Sequence, residues 1–113
     1  MSIPKGAGSL YSTVEDLYLW DRSLYTNKIL NKTSLGKLFT GYLDNYGYGW
    51  YIDQISIKNV IRKRIHHSGG IFGFQNQFHR YVDDDITIIL SSNIGTSDVY
   101  PISLDLASFL FEE

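Results

Sequence analysis

Four consecutive residues, His67-Ser68-Gly69-Gly70, gather the chemically useful groups of this chain: an imidazole, a hydroxyl, and two positions without a side chain, where backbone can be approached closely. They lie between a basic stretch, Val60 to His66, and an aromatic one, Phe72 to Tyr81, both patterned as strands. Taken alone, the four read as a strand end followed by a glycine turn. Metal chemistry is a poor fit, because His66 and His67 are neighbours in a strand and point to opposite faces, and adding His79 does not complete a zinc set. Asp83, Asp84 and Asp85 lack the spacing of a calcium loop and read as a polar turn. The run Arg62-Lys63-Arg64 could meet phosphate, but reads first as the solvated, charge-protected edge of a hairpin.

Elements must position these residues, and composition allows one core. The chain has 113 residues, 43% of them hydrophobic, with seventeen aromatic side chains, which places it in the globular class. A formal charge of -2 gives no basic field for nucleic acid or for an anionic membrane. Without cysteine there is neither a disulfide framework nor thiolate chemistry. No signal peptide and no apolar run of membrane-spanning length is visible, so compartment is open.

Ser12-Thr13-Val14-Glu15 fits a capping box and predicts a helix to about Tyr25, with Leu17, Trp20 and Leu24 inward and Glu15, Asp16 and Arg22 outward. A second helix is expected from about Lys32 to Phe39, stopped by Gly41. From Tyr46 the period changes. Tyr46-Gly-Tyr-Gly-Trp-Tyr-Ile52 reads as a strand packed against another backbone, with Val60 to His67 as its hairpin partner across Lys58-Asn59. Phe74 to Val82 and Ile86 to Ser91 follow as strands around the aspartate turn. Ser97 or Asp98 caps a last helix whose inward face is Ile102, Leu106, Phe109 and Leu110, with Pro101 near its first turn. This order predicts an α+β fold in one domain: a helical segment over 1–45, an antiparallel sheet of about four strands over 46–95, and a C-terminal helix over 97–112 packed on the sheet.

The blocks Gly8-Ser-Leu-Tyr-Ser-Thr-Val-Glu-Asp-Leu17, Trp20-Asp-Arg-Ser-Leu24, Tyr46-Gly-Tyr-Gly-Trp50, His67-Ser-Gly-Gly70 with Phe72-Gly-Phe74, and Asp83 to Asn93 resemble, in order, the C-terminal portion of the serine β-lactamase and penicillin-binding-protein superfamily. There the third signature motif reads Lys-Thr-Gly, or His-x-Gly in esterase-like and peptidase-like members. The resemblance implies a partial β-lactamase-like fold. In that family an active-site serine attacks an amide or ester carbonyl, a lysine one helical turn later and a tyrosine manage its proton, and the third motif forms the far wall. By resemblance, His67, Ser68 and Gly69 would bind substrate, His67 near a carboxylate and Ser68 through its hydroxyl. The N–H of Gly70 would be one of two oxyanion-hole donors. Histidine changes charge near neutral pH, so a wall carrying it in place of lysine would hold anions less firmly once neutral.

The nucleophile is the missing part. Ser2-Ile-Pro-Lys5 has the Ser-x-x-Lys spacing, but Pro4 and the glycines after it deny it a helix. Ser34-Leu-Gly-Lys37 lies on the expected second helix, yet follows blocks it should precede, and twelve serines with six lysines make chance matches ordinary. Tyr25-Thr-Asn27 imitates Tyr-x-Asn at a helix end, where Asn is a common terminator. The expected reading is therefore the C-terminal part of an acyl hydrolase, inactive alone, acting on an ester, D-amino-acid peptide or β-lactam type substrate without a cofactor or metal. Its partner would be the N-terminal half of the same fold or a second copy of itself. The alternatives are a non-catalytic binding or assembly module keeping this sheet, or an unrelated small α+β binding domain.

Overall fold

Thr13, not Ser12, begins the first helix. In the computed structural model, which describes residue 8 and residues 10–111, Thr13 Oγ1 accepts from the N–H of Asp16 at 3.1 Å and α1 runs Val14–Ser23. The capping hydroxyl is thus one residue later than the expected box places it, with Glu15 and Asp16 in the first turn opposing the helix dipole. Asn31 caps α2, Lys32–Leu38, through its side chain to Ser34 N–H at 2.8 Å.

Four strands follow: β1 Tyr51–Ile57, β2 Val60–Ile71, β3 Phe74–Tyr81 and β4 Ile86–Ser92. They pair in chain order as an antiparallel meander. The turn between β1 and β2 holds Lys58 and Asn59 at φ 51° and 67°, the left-handed pair of a tight two-residue hairpin. Between β3 and β4 a short 3-10 turn, Val82–Asp84, leads to Asp85 at φ 53°. The turn is polar as expected, and two of its carboxylates are paired: Asp84 accepts from Arg62 at 2.8 Å and Asp85 from Arg22 at 2.9 Å.

Three expectations need correction. The segment Tyr46 to Trp50 is not strand: only an isolated bridge joins Tyr46 to Tyr51, because Gly49 turns the chain with φ 84° and Gly47 lies tight against the end of α2. The strand starts at Tyr51. Second, His67 to Gly70 do not end a strand; β2 continues through them to Ile71, and Phe72 belongs to the turn that follows. Third, α3, Val99–Leu110, packs through Val99, Ser103 and Ala107, whereas Ile102, Leu106, Phe109 and Leu110 are exposed. Small residues let the helix lie close on the sheet, so the wider apolar stripe faces outward. Asp98 occupies its N-cap position without a side-chain hydrogen bond.

Strand alternation divides the sheet into two faces. On one, Ile57, Tyr81, Ile88 and Ala107 form a core with Phe111 and Leu90. On the other, Leu24 of the α1 C-cap, Trp50 and Ile65 pack with Leu35, Leu38, Phe39 and Phe78. Among the described residues no helix is long and apolar enough to cross a membrane.

Candidate functional site

The length of β2 makes the site. β1 covers β2 only from Val60 to His66, whose cross-strand partner is Tyr51, the first residue of β1. From His67 to Ile71, β2 pairs with β3 alone, His67 opposite Phe78 and Gly69 opposite Asn76. The candidate residues therefore lie along a strand edge that β1 leaves open, with main-chain groups that a ligand could meet.

Alternation sorts them. His67 and Gly69 face the side of α1 and α2, while Ser68 and Gly70 face the side of α3 and are exposed. The structure thus joins His67 with Gly69 on one face and separates Ser68 from them, leaving its side chain on the α3 side of the sheet, where the residue is exposed. Gly69 accepts from Asn76 Nδ2 at 3.2 Å. A Cβ at Gly69 would come no nearer than 3.7 Å to Asn76, and one at Gly70 would meet only the end of the Gln75 side chain, at 3.3 Å. Packing within this chain does not require glycine at either position.

His67 is held from both sides of its ring. Nδ1 contacts the carbonyl oxygen of Ser68, and Nε2 is 3.2 Å from Tyr46 Oη. Tyr51 lies beside it, 5.5 Å between ring centroids. Tyr46 and Asn76 were not singled out as polar partners of the motif in sequence. Asn76 could have been found by laying the Phe74–Tyr81 strand antiparallel to the motif, but Tyr46 reaches His67 through an irregular loop that leaves no periodic signal.

A groove of about 830 Å³ opens on the face of Gly69, lined by Ile71, Phe74 and Asn76 of the hairpin, Ser91 of β4, and Leu10 and Tyr11 ahead of α1. A shallower hollow of about 680 Å³ at the β2–β3 turn includes Gly70, Phe72, Gln75 and Gly95.

On the opposite face His66 Nε2 is 3.1 Å from Asp53 Oδ2, and Arg64 clamps both oxygens of the same carboxylate at 3.0 and 2.7 Å. Burial pushes Asp53 up, but the hydrogen bonds and charge of Arg64, with His66, outweigh it and hold the carboxyl below its usual range. Burial, then the charge of Arg64, pushes His66 down. His79, the cross-strand neighbour of His66, is withdrawn from solvent and lowered to about 3, again by burial first and Arg64 second. The basic run is therefore not a solvated edge: Arg64 is buried, Arg62 lies over the Phe111 ring at 3.8 Å, and Lys63 alone is exposed and unpaired among the described residues. His66 and His67 do take opposite faces, and no group of three or more possible metal ligands occurs among the described residues.

Ser34 and Lys37 stand on α2, but Ser34 Oγ has no hydrogen-bond partner among the described residues and Lys37 is exposed. Tyr25 lies beyond the α1 C-cap, its ring 5.0 Å from the Arg80 guanidinium, and burial pushes its phenol up, away from service as a base at neutral pH. Ser2 and Lys5 lie outside the described residues.

No family model and no solved structure matches the chain. Penicillin-binding protein 4* of Bacillus subtilis (strain 168) is 32% identical over 95 residues, which cover 79% of this chain and 20% of that protein. The putative penicillin-binding protein PbpX of the same organism is 36% identical over 55 residues, 48% of this chain and 14% of that one. The chain belongs to the penicillin-binding-protein and β-lactamase-like superfamily. This member of the superfamily spans a fifth or less of the length of these two relatives. In it the His-x-Gly motif occupies the open-edged end of the longest strand of the sheet.

Proposed function

We propose that this chain supplies the His-x-Gly wall of a β-lactamase-like acyl hydrolase acting on an ester, a D-amino-acid peptide or a β-lactam. His67 and Gly69 line the substrate on the face of the helices, Ser68 offers its hydroxyl from the α3 side, and the Gly70 N–H is one donor of the oxyanion hole. The observation that carries this reading is the end of β2, where five residues run past β1 and leave a strand edge open beside a groove. An acyl group laid along such an edge would meet backbone donors fixed by the β2–β3 pairing, and fixed donors stabilise a developing oxyanion without reorganising. The serine, lysine and tyrosine that would complete the chemistry are proposed to come from sequence outside these 113 residues, so that the chain alone turns over nothing.

Intact mass after incubation of the folded chain with a fluorophosphonate, and separately with a reactive β-lactam, tests the reading. An unmodified mass is expected. A stoichiometric adduct on Ser34, Ser2 or Ser68 would show a nucleophile within the chain and overturn the division of labour. Co-expression with a helical segment bearing Ser-x-x-Lys and Tyr-x-Asn is expected to give ester hydrolysis. A formed complex without hydrolysis would favour a binding or assembly module.

A further inference from the structure

We infer that Tyr46 is the positioning residue of His67, donating its hydroxyl proton to Nε2 and so fixing the tautomer and direction of the imidazole at the open edge of β2. The Ser68 carbonyl oxygen beside Nδ1 can only accept, so Nδ1 carries the hydrogen. In the neutral ring Nε2 is then an acceptor, and the group facing it at 3.2 Å is Tyr46 Oη, which must donate. One hydrogen-bond polarity satisfies both ring nitrogens, and it assigns the Nδ1–H form.

Tyr46 is itself fixed. Its N–H donates to Leu43 O at 3.0 Å, and its carbonyl accepts from Tyr42 N–H at 3.1 Å. Its ring meets that of Tyr51 edge-on at 4.6 Å. Asp44 and Asn45 enter the loop at φ 55° and 59°, conformations that bend the chain so that Tyr46 pairs as an isolated bridge with Tyr51 at the start of β1, from where its hydroxyl reaches His67 of β2. The loop that fails to be a strand thus places one hydroxyl against the motif histidine. With both nitrogens engaged, the imidazole is directed before any ligand arrives, which removes an ordering cost from binding.

This inference rests on the reading of His67 as part of a binding wall, and the experiment separates the two. The 113-residue chain with nitrogen-15-labelled histidine is examined by long-range proton–nitrogen correlation of the rings at mildly alkaline pH. The native protein is expected to show His67 in the Nδ1–H form. Tyr46→Phe keeps the aromatic contact and removes the hydroxyl, and is expected to lose the single-tautomer pattern while the backbone spectrum stays dispersed. Tyr51→Phe is expected to keep the pattern. An Nε2–H ring in the native protein overturns the inference, and needs no variant to fold. So does an unchanged tautomer in folded Tyr46→Phe. Titration with N-acetyl-D-alanyl-D-alanine addresses the wall: absence of any His67 shift at saturating peptide counts against the binding reading and leaves the tautomer result standing.

Discussion

Asp21 and Arg80, fifty-nine positions apart in sequence, form a buried ion pair: Arg80 Nε donates to Asp21 Oδ1 at 2.5 Å, with 1% and 0% of the two side chains exposed. The second oxygen of Asp21 accepts from Arg22 and from Thr87 Oγ1, the latter at 3.0 Å. The Arg80 guanidinium lies over the rings of Tyr25, Phe39 and Trp50 at 5.0 to 5.7 Å. One carboxylate therefore ties α1 to β3 and β4, on the same face of the sheet as His67.

Asp21→Ala leaves Arg80 charged and unpaired in the interior, so a loss of about 3–5 kcal/mol is expected in urea unfolding. The double variant Asp21→Leu with Arg80→Met removes both charges together, and is expected to be markedly more stable than Asp21→Ala. Equal stability of Asp21→Ala and the native chain would show that the pair holds nothing.

The pair also shows what was and was not legible. Hairpin order, the Lys58-Asn59 turn and the α+β class followed from alternation and turn chemistry, which are local. Asp21 stands four residues after Leu17 and three before Leu24, on the inward face of α1, and Arg80 stands two residues after Phe78 on the inward face of β3. Each is a charge on an apolar stripe, visible alone, but their partnership is set by tertiary packing. For α3 the failure was different: hydrophobicity chose Ile102 and Phe109, whereas closeness of approach chose Ser103 and Ala107. At the motif, a strand reaching His67 was legible, but its continuation to Ile71 was not, and the open edge depends on where β1 begins, which is decided by Gly47 and Gly49.

Gly47 and Gly36 make a controlled comparison. A Cβ at Gly47 would sit 2.2 Å from the carbonyl oxygen of Leu38, so Gly47→Ala must displace backbone, at a cost of about 1–3 kcal/mol. Gly36 is inside α2 with nothing within 4 Å of a Cβ. Gly36→Ala is expected to stabilise by roughly 0.5–1 kcal/mol through helix propensity. Opposite shifts of the thermal midpoint are the expected result. A loss at Gly36 would place a contact there that the structure does not have.

Phe72 is 95% exposed and Phe109 70% exposed, at separate places on the molecule. Apolar surface of this extent favours burial against another chain, and the isolated protein is expected to self-associate with rising concentration. Light scattering across a concentration series checks it. A strictly monomeric species at high concentration counts against association, and Phe109→Lys is expected to lower the average mass if α3 takes part.

Acid should weaken the fold through His79. Its Nε2 faces Gln77 Oε1 at 2.8 Å, its Nδ1 has no partner among the described residues, and burial beside Arg64 lowers it to about 3. The folded state keeps the ring neutral, whereas an unfolded histidine takes up a proton below about pH 6.5. The unfolded state thus binds more protons between those limits, and stability falls as pH drops through the window, by about 1.4 kcal/mol per unit for one proton. His66, also lowered, adds loss near the upper limit. Asp53, held below its usual range, adds loss only at the acid end, where its clamp to Arg64 is protonated. Urea midpoints at successive pH values from 7 to 4 are expected to decline, and His79→Gln is expected to remove about one proton from the slope. A flat native profile between pH 6.5 and 4.5, or an undiminished slope in the variant, would mean that the proton is taken up elsewhere.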